Sequence, residues 1–110
     1  MKQVLLLAIL FFLGILACQK DPAPSDGPYF PKVKTIIQTN CVSCHSPGGQ
    51  GLPVVFETDE DIASRAASIK STTIDPVSPQ NRRMPEKAEL SQTDKDVILK
   101  WWEKGGRVTD

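Results

Sequence analysis

Five consecutive residues near the middle of the chain carry its most chemically distinctive side chains: Cys41-Val42-Ser43-Cys44-His45. Two cysteines separated by two residues and followed by histidine form the pattern at which a haem c is attached. On a helix, residues three apart project from the same face, so both thiols could form thioethers with the two vinyl groups on one porphyrin edge. The histidine could then bind the iron through its imidazole. The pattern predicts one covalent haem c held by Cys41, Cys44 and His45.

A C-x-x-C pair has two other common uses, a structural zinc site and a redox-active dithiol. A structural zinc needs four nitrogen or sulfur ligands, whereas the chain holds three cysteines and one histidine. One of those cysteines, Cys18, has another predicted use. A thioredoxin-like dithiol is expected in a βαβ context, and no alternation of strand and helix patterns flanks Cys41. Haem attachment therefore explains the motif better than either alternative.

Elimination identifies a candidate for the second iron ligand. Met1 belongs to a predicted leader, so Met84 is the only methionine of the expected mature chain, and His45 is the only histidine. Two histidine ligands from one chain are thus excluded, and His/Met ligation needs Met84. Pro85 disfavours helical backbone at Met84 and stiffens its loop. The alternative is that Met84 packs in its loop and the iron stays five-coordinate or takes another donor.

The segment 71–89 around Met84 has little apolar periodicity and contains three prolines. It is therefore predicted as a loop. Arg82 and Arg83 directly precede Met84, and one of them could pair with a haem propionate. Arg82 is the candidate.

The first 17 residues predict a targeting segment. Lys2 supplies a charged start, and Val4 to Ala17 is a nearly unbroken run of 14 apolar residues. Such a run is short for a membrane span and typical of a signal-peptide core. The run ends in Ile15-Leu16-Ala17-Cys18, which resembles the lipobox of bacterial lipoproteins. The resemblance implies cleavage before Cys18 and lipidation of Cys18, and the alternatives are an uncleaved anchor or a plain secretory signal.

Composition divides the rest of the chain into two parts. Residues 18–28 hold three prolines, a glycine and a serine among charges, which predicts a flexible tether. Residues 29–110 then form one domain, expected to be monomeric. The whole chain has 13 basic and 13 acidic residues, and loss of Lys2 with the leader leaves 12 against 13, or −1. This balance predicts no nucleic-acid surface.

Two helices are predicted in the first half of the domain. Residues 29–40 suit a helix because Pro31 fits a first turn and one apolar stripe follows. The stripe consists of Phe30, Val33, Ile36 and Ile37. Residues 58–69 suit a second helix, since Thr58 and Asp61 form a capping-box pattern.

A third helix is predicted at 90–106. Ser91 with Asp94 suits its start, and Gly105-Gly106 suits its end. Its apolar face should cross the first helix. That face consists of Val97, Ile98, Trp101 and Trp102.

The order of these features from Tyr29 to Gly106 resembles a small class I cytochrome c. The resemblance rests on a helix leading into C-x-x-C-H, a Gly/Pro loop, a short helix, Met84-Pro85 and a Trp-containing helix ending in glycine. Domains in lipoproteins of Bacteroidetes and Planctomycetes are especially similar. The resemblance implies an all-α, cytochrome c-like fold of about three helices and loops wrapped around one haem.

The same resemblance implies a partner for the second ring nitrogen of His45. In the family, a proline carbonyl in the loop after the motif accepts this hydrogen bond, which orients the ring. By spacing, Pro53 fits this role best, and Leu52 and Pro47 are the alternatives.

Electron transfer is the function that these patterns favour. Two axial ligands leave no site for substrate, and no nucleophile–base pair or second metal site suggests an enzyme. The carrier would be lipid-anchored in the cell envelope, facing the periplasm or the cell surface, and would exchange electrons with redox protein partners. The alternatives are a five-coordinate haem sensor or small-ligand binder, and an accessory haem module of a partner oxidoreductase.

Overall fold

Four helices make up the regular structure of residues 27–110, which are the residues that this computed structural model describes. They are α1 (Phe30–Asn40), α2 (Asp59–Ala63), α3 (Ala66–Thr73) and α4 (Gln92–Glu103). Within that range there is no strand, only an isolated β-bridge between Ser78 and Asn81. The predicted all-α class is confirmed for this part of the chain, and none of its helices is long and apolar enough to cross a membrane. The predicted leader at 1–17, the lipidation site Cys18 and the tether up to residue 26 lie outside the described residues.

Helix α1 forms where the apolar spacing predicted it. Pro31 lies in its first turn, where a missing N–H costs nothing. The four residues of the predicted stripe are all buried: Phe30, Val33, Ile36 and Ile37. The helix ends at Asn40, so the C-x-x-C-H motif starts at its C-cap.

The N-terminus of α1 is capped by a residue distant in sequence. Tyr29, at the N-cap position, makes no side-chain capping hydrogen bond. Instead, the backbone N–H groups of Tyr29 and Phe30 donate to the two carboxylate oxygens of Asp110, at 2.7 and 3.1 Å. A carboxylate here satisfies orphan donors and complements the helix dipole. Asp110 thereby fastens the C-terminal segment to α1.

The single helix predicted at 58–69 is wrong, because the structure divides it into α2 and α3. The capping box itself is present: the Thr58 hydroxyl accepts from the Asp61 N–H at 3.1 Å, and the Asp61 carboxylate accepts from the Thr58 N–H at 2.7 Å. Arg65, between the helices, has non-helical angles of φ −111° and ψ 16°. Helix α2 packs on α1, while α3 packs on α4. The break between α2 and α3 lets each of them pack against a different helix.

Helix α4 begins and ends at the predicted signals, within its flanking caps. The Ser91 hydroxyl accepts a hydrogen bond from the Asp94 N–H at 3.1 Å. At the other end, Gly105 N–H donates to Trp102 O at 2.9 Å and Gly106 N–H donates to Trp101 O at 3.0 Å. This pair of bonds is a Schellman motif. It needs the positive φ of Gly105, 110°, and Gly106 after it also has a positive φ, 60°.

The core lies where α1 crosses α4. Trp101 is fully buried, its ring lies 6.1 Å from that of Phe30, and its indole N–H donates to Arg107 O at 2.8 Å. Trp102, predicted for the same apolar face, is instead 39% exposed. Its ring lies under the ammonium of Lys70 on α3, 4.8 Å from the ring centroid. The prediction for Trp102 is therefore wrong: Trp101 packs in the core, whereas Trp102 lies at its exposed edge beside Lys70.

Candidate functional site

The C-x-x-C-H residues continue the chain out of α1 in a tight turn. The Cys41 N–H donates to Ile37 O at 2.9 Å, and the His45 N–H donates to Cys41 O at 2.9 Å. These four-residue spacings are helical, so the turn keeps the two cysteines near one another as the motif requires. Both thiols are free, with Cys41 half-buried and Cys44 exposed.

The burial of Cys41 changes the acidity of its thiol. Loss of solvation, with a smaller contribution from the neighbouring Cys44, raises the pKa of the Cys41 thiol to about 11. A raised pKa keeps the thiol neutral at physiological pH. Cys41 is therefore a poor nucleophile as it stands, because that role needs the thiolate.

The imidazole of His45 is held by a backbone carbonyl from the loop that follows it. Its Nδ1 lies 3.0 Å from the carbonyl oxygen of Val54. The acceptor is thus one residue later than the Pro53 expected from the family resemblance, and it is neither Leu52 nor Pro47. The chain path decides this, since the Phe56 N–H donates to His45 O at 2.9 Å and so aligns residues 54–56 beside the motif.

Two further residues fix the ring plane of His45, and sequence reasoning missed both roles. Phe56 presents an edge-on ring, 5.5 Å between centroids at 69°. Gly51 lies so close that a Cβ added there would overlap the imidazole. The backbone at Gly51 therefore passes directly against the imidazole ring. Only a residue without a side chain fits at 51.

A cavity of about 520 Å³ opens beside this motif. Its walls come from the end of α1, the loop at 41–56, one face of α3 and the loop at 82–87. All four residues predicted to hold a haem iron or porphyrin edge line it: Cys41, Cys44, His45 and Met84. The structure therefore brings together residues that lie up to 43 positions apart in the sequence.

The cavity combines apolar walls with charged residues. Ile37 and Ile69 contribute buried apolar surface. Three basic residues and one acidic residue also line it: Arg65, Arg82, Lys87 and Glu86. The predicted propionate partner Arg82 is 77% exposed and forms an ion pair with Glu86, 2.8 Å between Nη2 and Oε1. Its role toward a propionate stays a prediction.

No cluster of three or more His, Cys, Asp and Glu side chains within residues 27–110 is arranged to hold a metal ion. The candidate site is thus a cavity with sulfur and nitrogen donors on its walls, and not a preformed cage of metal ligands. Comparison of the chain with protein-family models, with curated proteins and with solved structures finds no match.

Proposed function

We propose that this chain is a monohaem c-type cytochrome that carries single electrons. The observation that carries the proposal is the convergence of Cys41, Cys44, His45 and Met84 on one cavity. Two thiols are what the covalent bonds to a porphyrin need, and an imidazole with a thioether is an axial pair used in cytochromes c. The cavity volume of about 520 Å³ falls within the range of cofactor pockets, about 300–1,000 Å³.

The described residues fit a haem in further respects. Ile37, Ile69 and Phe56 offer apolar and aromatic surface to a flat macrocycle. Basic side chains at the cavity, Arg65 and Arg82 among them, suit the two carboxylates that a haem carries. Arg82 would share its charge between Glu86 and a propionate, as a guanidinium with five donors can.

His45 is prepared for metal binding by its hydrogen bond to Val54. A carbonyl oxygen only accepts, so Nδ1 carries the ring proton at this contact. The lone pair of the neutral ring is then on Nε2, which is the state that a metal-binding histidine needs. The chain thus selects the tautomer before any metal arrives.

Met84 would complete the axial pair. A bound haem supplies an iron that alternates between Fe(III) and Fe(II). With His45 and Met84 both ligating, no coordination position is left for a substrate, so the domain transfers electrons and has no catalytic site of its own. A thioether ligand together with an imidazole would raise the reduction potential of the iron relative to harder donors.

The expected place of the carrier in the cell follows from the N-terminal pattern. Lipidation of Cys18 would hold the protein at a membrane of the cell envelope, facing the periplasm or the surface. Residues 19–28 would then allow the domain to move between a redox protein that donates electrons and one that accepts them.

The proposal is tested on protein produced with a haem-attachment system. Acid–acetone extraction should leave the haem on the wild-type chain, whereas Cys41→Ala/Cys44→Ala should lose most holo-protein. The reduced wild type should show no spectral change with carbon monoxide at neutral pH, and a redox titration should follow one electron.

Three results would contradict different parts of the proposal. Haem that extracts freely from the wild type contradicts covalent attachment. Ready binding of carbon monoxide to the wild type contradicts Met84 ligation and favours the five-coordinate sensor. Acyl mass missing from the mature N-terminus contradicts the anchor alone.

A further inference from the structure

Two adjacent arginines in the loop before Met84 have opposite environments. The Arg82 side chain is 77% exposed and extends to Glu86, four residues later. The Arg83 side chain is 23% exposed and reaches back to α3. Exposed ion pairs contribute little to stability, whereas a half-buried guanidinium bound to several acceptors constrains the chain around it.

Arg83 binds the C-terminal end of α3. Its Nη2 donates to the carbonyl oxygen of Asp75 at 2.9 Å, and its Nη1 donates to that of Thr72 at 3.4 Å. Its Nε is buried without a hydrogen-bond partner, 3.7 Å from Oε1 of Glu89. The last carbonyls of a helix lack intrahelical donors and carry partial negative charge. A cation that also donates hydrogen bonds is therefore well matched to this helix end.

Met84 is attached to the same helix end. Its backbone N–H donates to Thr72 O at 2.9 Å, the oxygen that Arg83 also contacts. Asn81 supplies a third link, since its side-chain amide donates to Ser71 O at 2.7 Å and to Pro76 O at 3.1 Å. The loop at 74–91 contains no helix. The position of Met84 is therefore set by these individual hydrogen bonds and not by the regular hydrogen bonding of a helix.

We propose that Arg83 is a positioning residue for Met84, an inference that rests on the proposed role of Met84 as an iron ligand. By holding the loop against the carbonyls of Thr72 and Asp75, Arg83 lowers the population of conformers in which Met84 leaves the cavity. It does so without touching the iron. The strength of the Met84–iron contact then depends on a side chain that does not itself line the cavity.

The test measures how readily an added ligand displaces Met84. Imidazole is titrated into the ferric holo-protein at fixed pH, because its affinity rises as the loop opens more easily. Arg83→Gln should raise imidazole affinity roughly tenfold, which corresponds to about 1.4 kcal/mol. Arg107→Gln removes one positive charge from an exposed position outside this loop and should change the affinity less than about twofold.

A double-mutant cycle separates positioning from general destabilisation. In a Met84→Ala background the sixth position is already open, so adding Arg83→Gln should change imidazole affinity less than about twofold. Arg83→Lys keeps the charge but offers no rigid fork for two carbonyls, so its affinity should lie between the wild type and Arg83→Gln. Thermal unfolding is recorded for each variant.

Several results would overturn the inference. One is equal affinities in Arg83→Gln and Arg107→Gln; another is an Arg83 effect that persists undiminished in the Met84→Ala background. If Arg83→Gln yields no holo-protein, Arg83→Lys carries the comparison, and wild-type affinity in that variant counts against the inference. Failure of the proposed function is distinguishable, because the wild type itself would then bind imidazole as tightly as Met84→Ala.

Discussion

The two loops that line the cavity hold their proposed iron ligands by different means. In the loop at 41–56, the ring of His45 is itself fixed, by the Val54 carbonyl, the Phe56 ring and the close approach of Gly51. In the loop at 74–91, the fixed atoms belong to the backbone of Met84 and to the side chain of its neighbour Arg83. The imidazole is therefore oriented in advance, whereas Met84 is held through its main-chain N–H. We therefore expect substitutions in the loop around His45 to be more damaging than substitutions in the loop around Met84. We also expect Met84 to be the ligand that an added molecule can displace.

The largest effect is expected from Gly51→Ala, on the His45 side. The new Cβ would overlap the imidazole, so either the ring or the loop must move. Overpacking of this kind costs about 1–3 kcal/mol and should also remove most holo-protein, measured as the haem-to-protein ratio. Gly48→Ala is the control for crowding, because no atom lies within 4 Å of its added Cβ. Its positive φ of 76° adds backbone strain that Gly51→Ala lacks, so it should lower stability but keep the haem content of the wild type. A Gly51→Ala protein with wild-type haem content and stability would contradict the fixed-ring interpretation.

Met84→Ala should have a smaller effect, on the other loop. Haem attachment through Cys41 and Cys44 does not involve Met84, so holo-protein should form in wild-type yield. The near-infrared sulfur-to-iron band should disappear, carbon monoxide should bind the reduced protein, and the potential should fall because the thioether favours Fe(II). Met84→His should restore six-coordination at a potential below that of the wild type. If Met84→Ala instead loses its haem as Gly51→Ala does, the two loops do not differ as argued.

Asp110→Ala should weaken the N-terminal end of helix α1 and leave the two loops unchanged. Loss of the carboxylate leaves the N–H groups of Tyr29 and Phe30 without their acceptor, at a cost of about 1 kcal/mol. Denaturant unfolding should show this loss, while the carbon monoxide response stays that of the wild type. Thr109→Ala, at the exposed neighbouring position, is the control and should leave the stability nearly unchanged. A changed spectrum of the iron ligands in Asp110→Ala would show that this end of α1 and the two loops are energetically coupled.

The smallest effect is expected from the acid titration of Asp61. Hydrogen bonds from Thr58, chiefly from its backbone N–H, lower the pKa of the Asp61 carboxyl below its ordinary value of 3.8. A lowered folded-state pKa gives stability that is present above the unfolded pKa and lost as the pH falls through the folded one. The stability lost as the pH is lowered below about 4 should therefore be smaller in Asp61→Asn than in the wild type. Glu60→Gln removes a charge from the same helical turn and should keep the wild-type dependence.

Local signals in the sequence predicted much of the fold. The stripe and Pro31 predicted α1, Thr58 and Asp61 predicted the start of α2, and Gly105-Gly106 predicted the end of α4. Each of these signals acts between residues within about one turn of one another, so the sequence alone contains both partners. The C-x-x-C-H motif is a local pattern of the same kind, whereas the candidate Met84 came from a count of residue types along the chain.

Such local signals could not predict the contacts between segments that lie far apart in the sequence. The two segments α2 and α3 pack on different helices, and Trp102 lies beside Lys70 of α3 while Trp101 packs in the core. The acceptor for His45 is Val54 and not Pro53, since the path of the loop beside Phe56 decides which carbonyl arrives at the ring. Arg83 and Asp110 find partners on other elements of the fold. The sequence by itself thus determined most helix ends and identified the candidate donor residues, whereas only the tertiary structure decided how each candidate is held, because that depends largely on backbone carbonyls, which any residue type can supply.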